Sequence, residues 1–186
     1  MWLVVCNKIQ TQCDLYAVFN NCPIKVPPKC SELHYEVELG VVIGKDGKNI
    51  PESAALSHIG GYTLALDMTA RNIQSEAKKK GHPWSVAKGY DTFCPVSGFI
   101  EREKVALNST RLWLKVDGEL KQDGNTKDMV FSVPHLISHI SQIFSLEVGD
   151  VILTGTPEGV GPVKPGQVIT AGIEGLLEMT FPVKEP

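Results

Sequence analysis

Leu33-His34-Tyr35-Glu36-Val37-Glu38-Leu39-Gly40-Val41-Val42-Ile43 begins as an alternating run and ends as an apolar one. On an extended strand successive side chains point to opposite faces. His34, Glu36 and Glu38 then share one face, and Tyr35, Val37 and Leu39 share the other. Two carboxylates two residues apart on such a face stand about 6 to 7 Å apart and repel one another. A solvent-exposed polar face accounts for them simply. Against that reading, the strand continues into the apolar Leu39 to Ile43, and a strand entering a core does not ordinarily begin with two uncompensated carboxylates. A bound divalent cation resolves the conflict, because oxygen ligands are what Mg²⁺ and Ca²⁺ take. The stretch predicts a buried strand and offers Glu36 and Glu38 as candidate metal ligands.

Downstream, Gly61 to Asp67 reads as a second buried strand, and Met68 to Lys80 as a helix closed by Gly81 and Pro83. Asp67 sits between them, where it can cap the helix or join the two glutamates. Arg71 and Gln74 follow along one helical face. Arg71 can pair with Asp67 or meet an anionic substrate beside a metal. Lys88 follows a short stretch read as irregular; a surface lysine is the alternative to a functional one. The loop Thr154-Gly155-Thr156-Pro157-Glu158-Gly159-Val160-Gly161 offers free backbone N–H groups for a carboxylate and the Thr156 hydroxyl. The alternative reading is a tight connection that needs glycine at positive φ. It lacks the lysine of a phosphate-binding loop, so no nucleotide is implied.

The remaining signals describe a β-rich domain with two clear helices and one short one. Val4-Val5 and Leu15 to Phe19 are weak strand candidates, and Pro51 to His58 fits a short helix. Leu112 to Val116 and Glu119 to Gln122 flank Asp117-Gly118, a two-residue hairpin signal. Ser132 caps a helix to about Phe144 whose apolar positions Leu136, Ile137, Ile140, Ile143 and Phe144 share a face. Val151 to Leu153, Val168 to Ile173 and Leu176 to Val183 complete the strands. With 186 residues, 42% hydrophobic and 21% charged, the chain suits one ordinary globular domain. A net charge of -3 and the absence of a basic stripe argue against nucleic acid. Lys78-Lys79-Lys80 reads as a solvated helix end. No apolar run approaches the roughly 20 residues that span a bilayer, and no transit peptide is evident. The cysteines Cys6, Cys13, Cys22, Cys30 and Cys94 match no usual zinc spacing and read as thiols. His135 and His139 lack the glutamate of a zinc-protease helix motif.

Together, the Leu33–Leu39 run, Asp67-Met68-Thr69-Ala70-Arg71, the Lys88 segment and the Thr154–Gly161 loop resemble, in that order, the fumarylacetoacetate hydrolase superfamily, and most closely its small one-domain acylpyruvases. The resemblance spans Pro23 to the C-terminus. It implies a mixed α/β, mainly β fold, a fumarylacetoacetase C-terminal-like β-sandwich roll with two to three helices, and a homodimer. It further implies Mg²⁺ or Mn²⁺ on Glu36, Glu38 and Asp67, with Arg71, Gln74, Lys88 and Thr156 around a small 2-oxo acid. The implied reactions are acylpyruvate hydrolysis and oxaloacetate decarboxylation, in a mitochondrial or cytoplasmic location.

One segment departs from that pattern. The family carries a lid with a His and a Glu three residues apart, taken to activate water, whereas here no histidine precedes His34. The expectation is an atypical segment over residues 1–22 and a catalytic domain over 23–186. A missing positioned base costs about 10²- to 10⁴-fold in rate, and decarboxylation needs no water at bond breaking. It is therefore expected to survive better than hydrolysis. Two rival readings stand beside this one: an oxaloacetate keto–enol tautomerase, and a catalytically silent metal- and ligand-binding subunit paired with an active homologue.

Overall fold

The computed structural model describes residues 22–185 and the backbone of Val5–Cys6. The strand candidate at Leu15 to Phe19, the Cys13 position and most of the segment 1–22 lie outside the described residues. In chain order, β1 is Val5–Cys6, β2 Ile24–Lys25, β3 Leu33–Tyr35 and β4 Val37–Ile43. Helix α1 (Glu52–Ala55) runs through a 3-10 turn into β5 (Ile59–Leu66), followed by β6 (Thr69–Ala70), α2 (Arg71–Lys80) and α3 (Ser85–Lys88). Then come β7 (Ile100–Glu101), β8 (Arg111–Val116), β9 (Glu119–Asn125), α4 (Val133–Ile143) and β10 (Val151–Leu153). The chain closes with β11 (Gly161–Val163), β12 (Val168–Ile173) and β13 (Leu177–Lys184). The fold is mixed α/β and mainly strands, as the sequence indicates.

Three sheets organise these strands. One has the order β1-β10-β4-β5-β7, a small one β11-β3-β6, and a third β2-β13-β12-β8-β9. The run that opens the sequence reading is not one strand. It breaks at Glu36, with β3 in the small sheet and β4 in a five-stranded one. Every residue of β4 is buried, which agrees with its apolar composition and its place between β10 and β5. The main core joins Val37, Leu39, Val41 and Ile43 with Leu114, Ile169 and Phe181 of the third sheet. Burying each such side chain contributes roughly 1.5–3 kcal/mol.

Local chemistry explains the other elements. Asp117 and Gly118 both take positive φ (49° and 84°), the geometry of the hairpin turn their sequence signals. The Asp117 carboxylate accepts from the Val168 N–H at 2.8 Å and from Gln167 Nε2 at 2.8 Å, which ties the turn to the start of β12. Ser132 caps α4 by accepting from the His135 N–H at 3.3 Å. Leu136, Ile137 and Ile140 are buried, but Ile143 and Phe144 are exposed. The last turn of α4 outruns the buried stripe, and Phe144 has left helical geometry.

Two helix expectations are corrected. Asp67 caps nothing: two strand residues intervene, and α2 starts at Arg71 with Ala70 before it and no side-chain cap. The segment before Lys88 is not irregular but forms the short helix α3, so the described residues carry four α-helices. Among the described residues, Cys22, Cys30 and Cys94 are thiols, and no helix is long and apolar enough to cross a membrane.

Candidate active site and metal centre

The break at Glu36 gives the site its shape. The Asp67 N–H donates to the Glu36 carbonyl at 2.8 Å, pinning the start of β4 to the end of β5. The Glu36, Glu38 and Asp67 carboxylates are all buried, each offering an oxygen within 4.8 Å of the other two.

Two cations border this cluster. Lys88 Nζ donates to Glu36 Oε2 at 2.9 Å and to Asp67 Oδ2 at 2.5 Å. Arg71, at the start of α2, donates through Nη2 to Glu36 Oε1 at 2.6 Å and through Nη1 to Gln74 Oε1 at 2.8 Å. Its pairing with Glu36 replaces the pairing with Asp67 that spacing allowed. Arg71 Nε also donates to His34 Nδ1 at 3.1 Å. A guanidinium can only donate, so His34 Nδ1 is the acceptor, and Nε2 carries the proton it offers to Glu32 Oε1 at 2.8 Å.

Glu38 differs from its neighbours: its carboxylate accepts from a backbone donor, the Gly155 N–H, at 2.5 Å. Burial pushes the Glu38 carboxyl well above its ordinary range, and the negative charge of Asp67 pushes it further, against the pull of the Gly155 bond. Burial also lifts Asp67 to about 6, opposed by Lys88 and reinforced by Glu36. Three carboxylates face two cations, so the cluster is short of positive charge, most acutely at Glu38. An all-oxygen donor set with that deficit suits a hard divalent ion such as Mg²⁺ or Mn²⁺.

The Thr154–Gly161 loop closes the site. The Thr154 N–H and hydroxyl both donate to the Leu39 carbonyl, at 3.1 and 2.9 Å. The glycine-rich loop does hold a carboxylate on a backbone N–H, but it is that of Glu38. A cleft of about 670 Å³ opens above, with Glu36, Glu38, Arg71, Gln74, Lys88 and Thr156 in its wall and Trp84, Met129 and Val130 also lining it. That volume suits a small ligand. All seven residues singled out from sequence meet here, Asp67 through the carboxylate cluster and the others in the cleft wall. His135 instead pairs with Glu52 at 2.8 Å in an exposed setting.

Sequence reading missed Gln122. It is 1% exposed and joins β9 to both halves of the site. Its Oε1 accepts from the Val37 N–H at 3.0 Å, while Nε2 donates to Thr156 Oγ1 at 2.8 Å and to the Pro157 carbonyl at 3.0 Å. A β-bulge between β8 and β9 re-aims it: Leu114 pairs with Gln122, but Lys115 pairs with Leu120. Strict alternation along β9 conceals that shift.

The chain resembles known proteins over most of its length. The family model described as fumarylacetoacetate (FAA) hydrolase C-terminal matches residues 15–184. The mitochondrial oxaloacetate decarboxylase of Dictyostelium discoideum is 58% identical over 170 residues, covering 90% of this chain and 78% of that protein. The mitochondrial oxaloacetate tautomerase FAHD1 of Homo sapiens is 54% identical over 165 residues, covering 88% and 75%. Fumarylpyruvate hydrolase from Pseudomonas aeruginosa, solved in complex with Mn²⁺ and pyruvate, superposes with a TM-score of 0.87 at 34% identity, covering 92% of this chain and 75% of that one. The likeness thus runs through the family model, the overall sequence and the superposed fold alike, and the chain belongs to the fumarylacetoacetate hydrolase family.

Proposed function

We propose that this chain is a Mg²⁺- or Mn²⁺-dependent enzyme that breaks a C–C bond in small 2-oxo acids, decarboxylating oxaloacetate and hydrolysing acylpyruvates. The observation that carries this reading is the convergence of three buried carboxylates, one of them, Glu38, in no direct ion pair among the described residues, at a cleft that also presents Lys88 and Arg71. Residues 23–186 form the catalytic domain in this reading, working as a homodimer. The names of the relatives support a mitochondrial location.

Glu36, Glu38 and Asp67 would hold the ion, which supplies Lewis acidity at the keto oxygen of the substrate. The chain's own residues do the rest. Arg71 and Gln74 bind the substrate carboxylate; the Arg71–Gln74 bond uses Gln74 Oε1 and so leaves the amide nitrogen to donate. Lys88 places its ammonium where negative charge grows on the keto oxygen. In decarboxylation, the electrons of the breaking C–C bond pass toward that oxygen as CO₂ leaves, and the resulting pyruvate enolate takes a proton on carbon. In acylpyruvate hydrolysis the acyl group leaves to water instead, and water needs a base. His34, the histidine that touches Arg71, has both ring nitrogens engaged. Among the described residues this favours decarboxylation over hydrolysis.

A second reading, keto–enol tautomerisation of oxaloacetate, uses the same charge development with a proton, not CO₂, leaving carbon. The name of the human relative favours it. Rates of CO₂ release, enol disappearance and acylpyruvate cleavage, measured with Mg²⁺ and with Mn²⁺, separate the three reactions. Lys88→Met is expected to lower kcat about 10²- to 10³-fold while the protein still binds Mn²⁺. Full activity in that variant, or a parent protein that binds no Mn²⁺, would sink the reading.

A further inference from the structure

We infer that Gln122 is a positioning residue that fixes the Thr156 hydroxyl as a hydrogen-bond donor to the anionic ligand of the cleft. The inference rests on the reading that Thr156 meets a 2-oxo acid. It concerns a side chain with no access to that ligand, since Gln122 is 1% exposed.

The two ends of a glutamine amide look alike in shape, so its orientation must come from its partners. Here the backbone settles it. The Val37 N–H can only donate, so the atom facing it at 3.0 Å is the amide oxygen. The Pro157 carbonyl can only accept, so the atom facing it at 3.0 Å is the amide nitrogen. The second hydrogen on that nitrogen goes to Thr156 Oγ1 at 2.8 Å. Thr156 is therefore an acceptor toward Gln122, and its own proton stays available for the cleft. A hydroxyl turned the other way would present lone pairs to a carboxylate and repel it.

The same amide ties that donor to the acidic cluster. Val37 lies between Glu36 and Glu38, so one side chain registers the ligand strand against the Thr156 loop. The loop packs closely on β9. A Cβ on Gly159 would collide with the Lys121 carbonyl, and one on Gly124 with the ring of Pro157. Glutamate at position 122 would match the amide in shape but not in polarity. It would still accept from Val37, lose the Pro157 bond, and accept the Thr156 proton.

The test is a double-mutant cycle on the full chain loaded with Mn²⁺, read as the Kd for oxalate. Mn²⁺ affinity without oxalate is measured alongside. Gln122→Glu and Thr156→Val are each expected to weaken oxalate roughly 10- to 100-fold, the range for a hydrogen bond to a charged group. The double variant should bind no worse than the weaker single one. Thr156→Ser, which keeps the donor, should bind oxalate within about threefold of the parent. Mn²⁺ affinity should change little in the Thr156 variants. If Gln122→Glu does not fold, Gln122→Met takes its place in the cycle, removing the donor to Thr156 without adding charge. Additive losses overturn the inference, as does parental oxalate affinity in Thr156→Val, provided Mn²⁺ still binds. A parent that binds neither Mn²⁺ nor oxalate fails at the proposed function, and the inference falls with it.

Discussion

Glu38 carries a carboxylate in a buried position with Asp67 and Glu36 as like-charged neighbours, and it takes its hydrogen bond from a neutral donor. Without a metal, the folded protein binds a proton there more tightly than the unfolded chain does. A carboxyl raised in the folded state favours folding at low pH, and that contribution is lost as pH rises through the raised value. For Glu38 the loss begins above its ordinary value of 4.5; for Asp67 it runs from 3.8 to about 6. Glu38→Gln cannot ionise. In EDTA it is expected to melt higher than the parent at pH 8, with the gap closing toward pH 5, while Mn²⁺ binding is lost. Melting curves across that range check it, and a gap that widens on acidification would contradict the assignment. Glu36, Glu38 and Asp67 were legible in the sequence because carboxylates stand out at the edge of apolar strands. Gln122 was not, because an amide in a hairpin strand looks like any polar surface residue.

At the scale of elements, the loop after β10 is held by a glycine that no other residue replaces cheaply. Gly159 has φ +92° and lies against the Lys121 carbonyl, so Gly159→Ala meets both backbone strain and a collision. The expected cost is of order 1–3 kcal/mol in urea unfolding, with a raised KM for the 2-oxo acid and near-parental Mn²⁺ affinity. An unchanged KM would show that the loop position does not matter to the ligand. Most strands and the Asp117-Gly118 hairpin could be read in advance, since alternation and turn chemistry are local. The start of α2 could not. Thr69 and Ala70 pair with His34 and Leu33 in β6, a long-range contact that overrides the helical pattern beginning at Met68. The bulge in β9 was hidden for the same reason: it exists only as a mismatch with β8.

For the whole molecule, the fold class was legible because short strands, proline and glycine exclude a helix bundle. The division into three sheets was not, since nothing in the Leu33–Ile43 run announces that the chain leaves one sheet for another at Glu36. In the proposed reading, removing the ion removes a ligand that binds only the folded state. At 100 times its Kd such a ligand adds about 2.7 kcal/mol. For a chain of this size that corresponds to roughly 5–10 °C in Tm. Calorimetry with Mn²⁺ and then with excess EDTA should show that drop, and coincident melting curves would count against a folded-state metal centre. The crossing at Glu36 carries one more consequence. The residue that would grip the ion is also the joint where the small sheet meets the large one, so that sheet cannot work loose without loosening the grip. If the proposed centre holds, losing the ion is expected to leave a slacker body, cut faster by proteases around β3, rather than the same body with one ion missing.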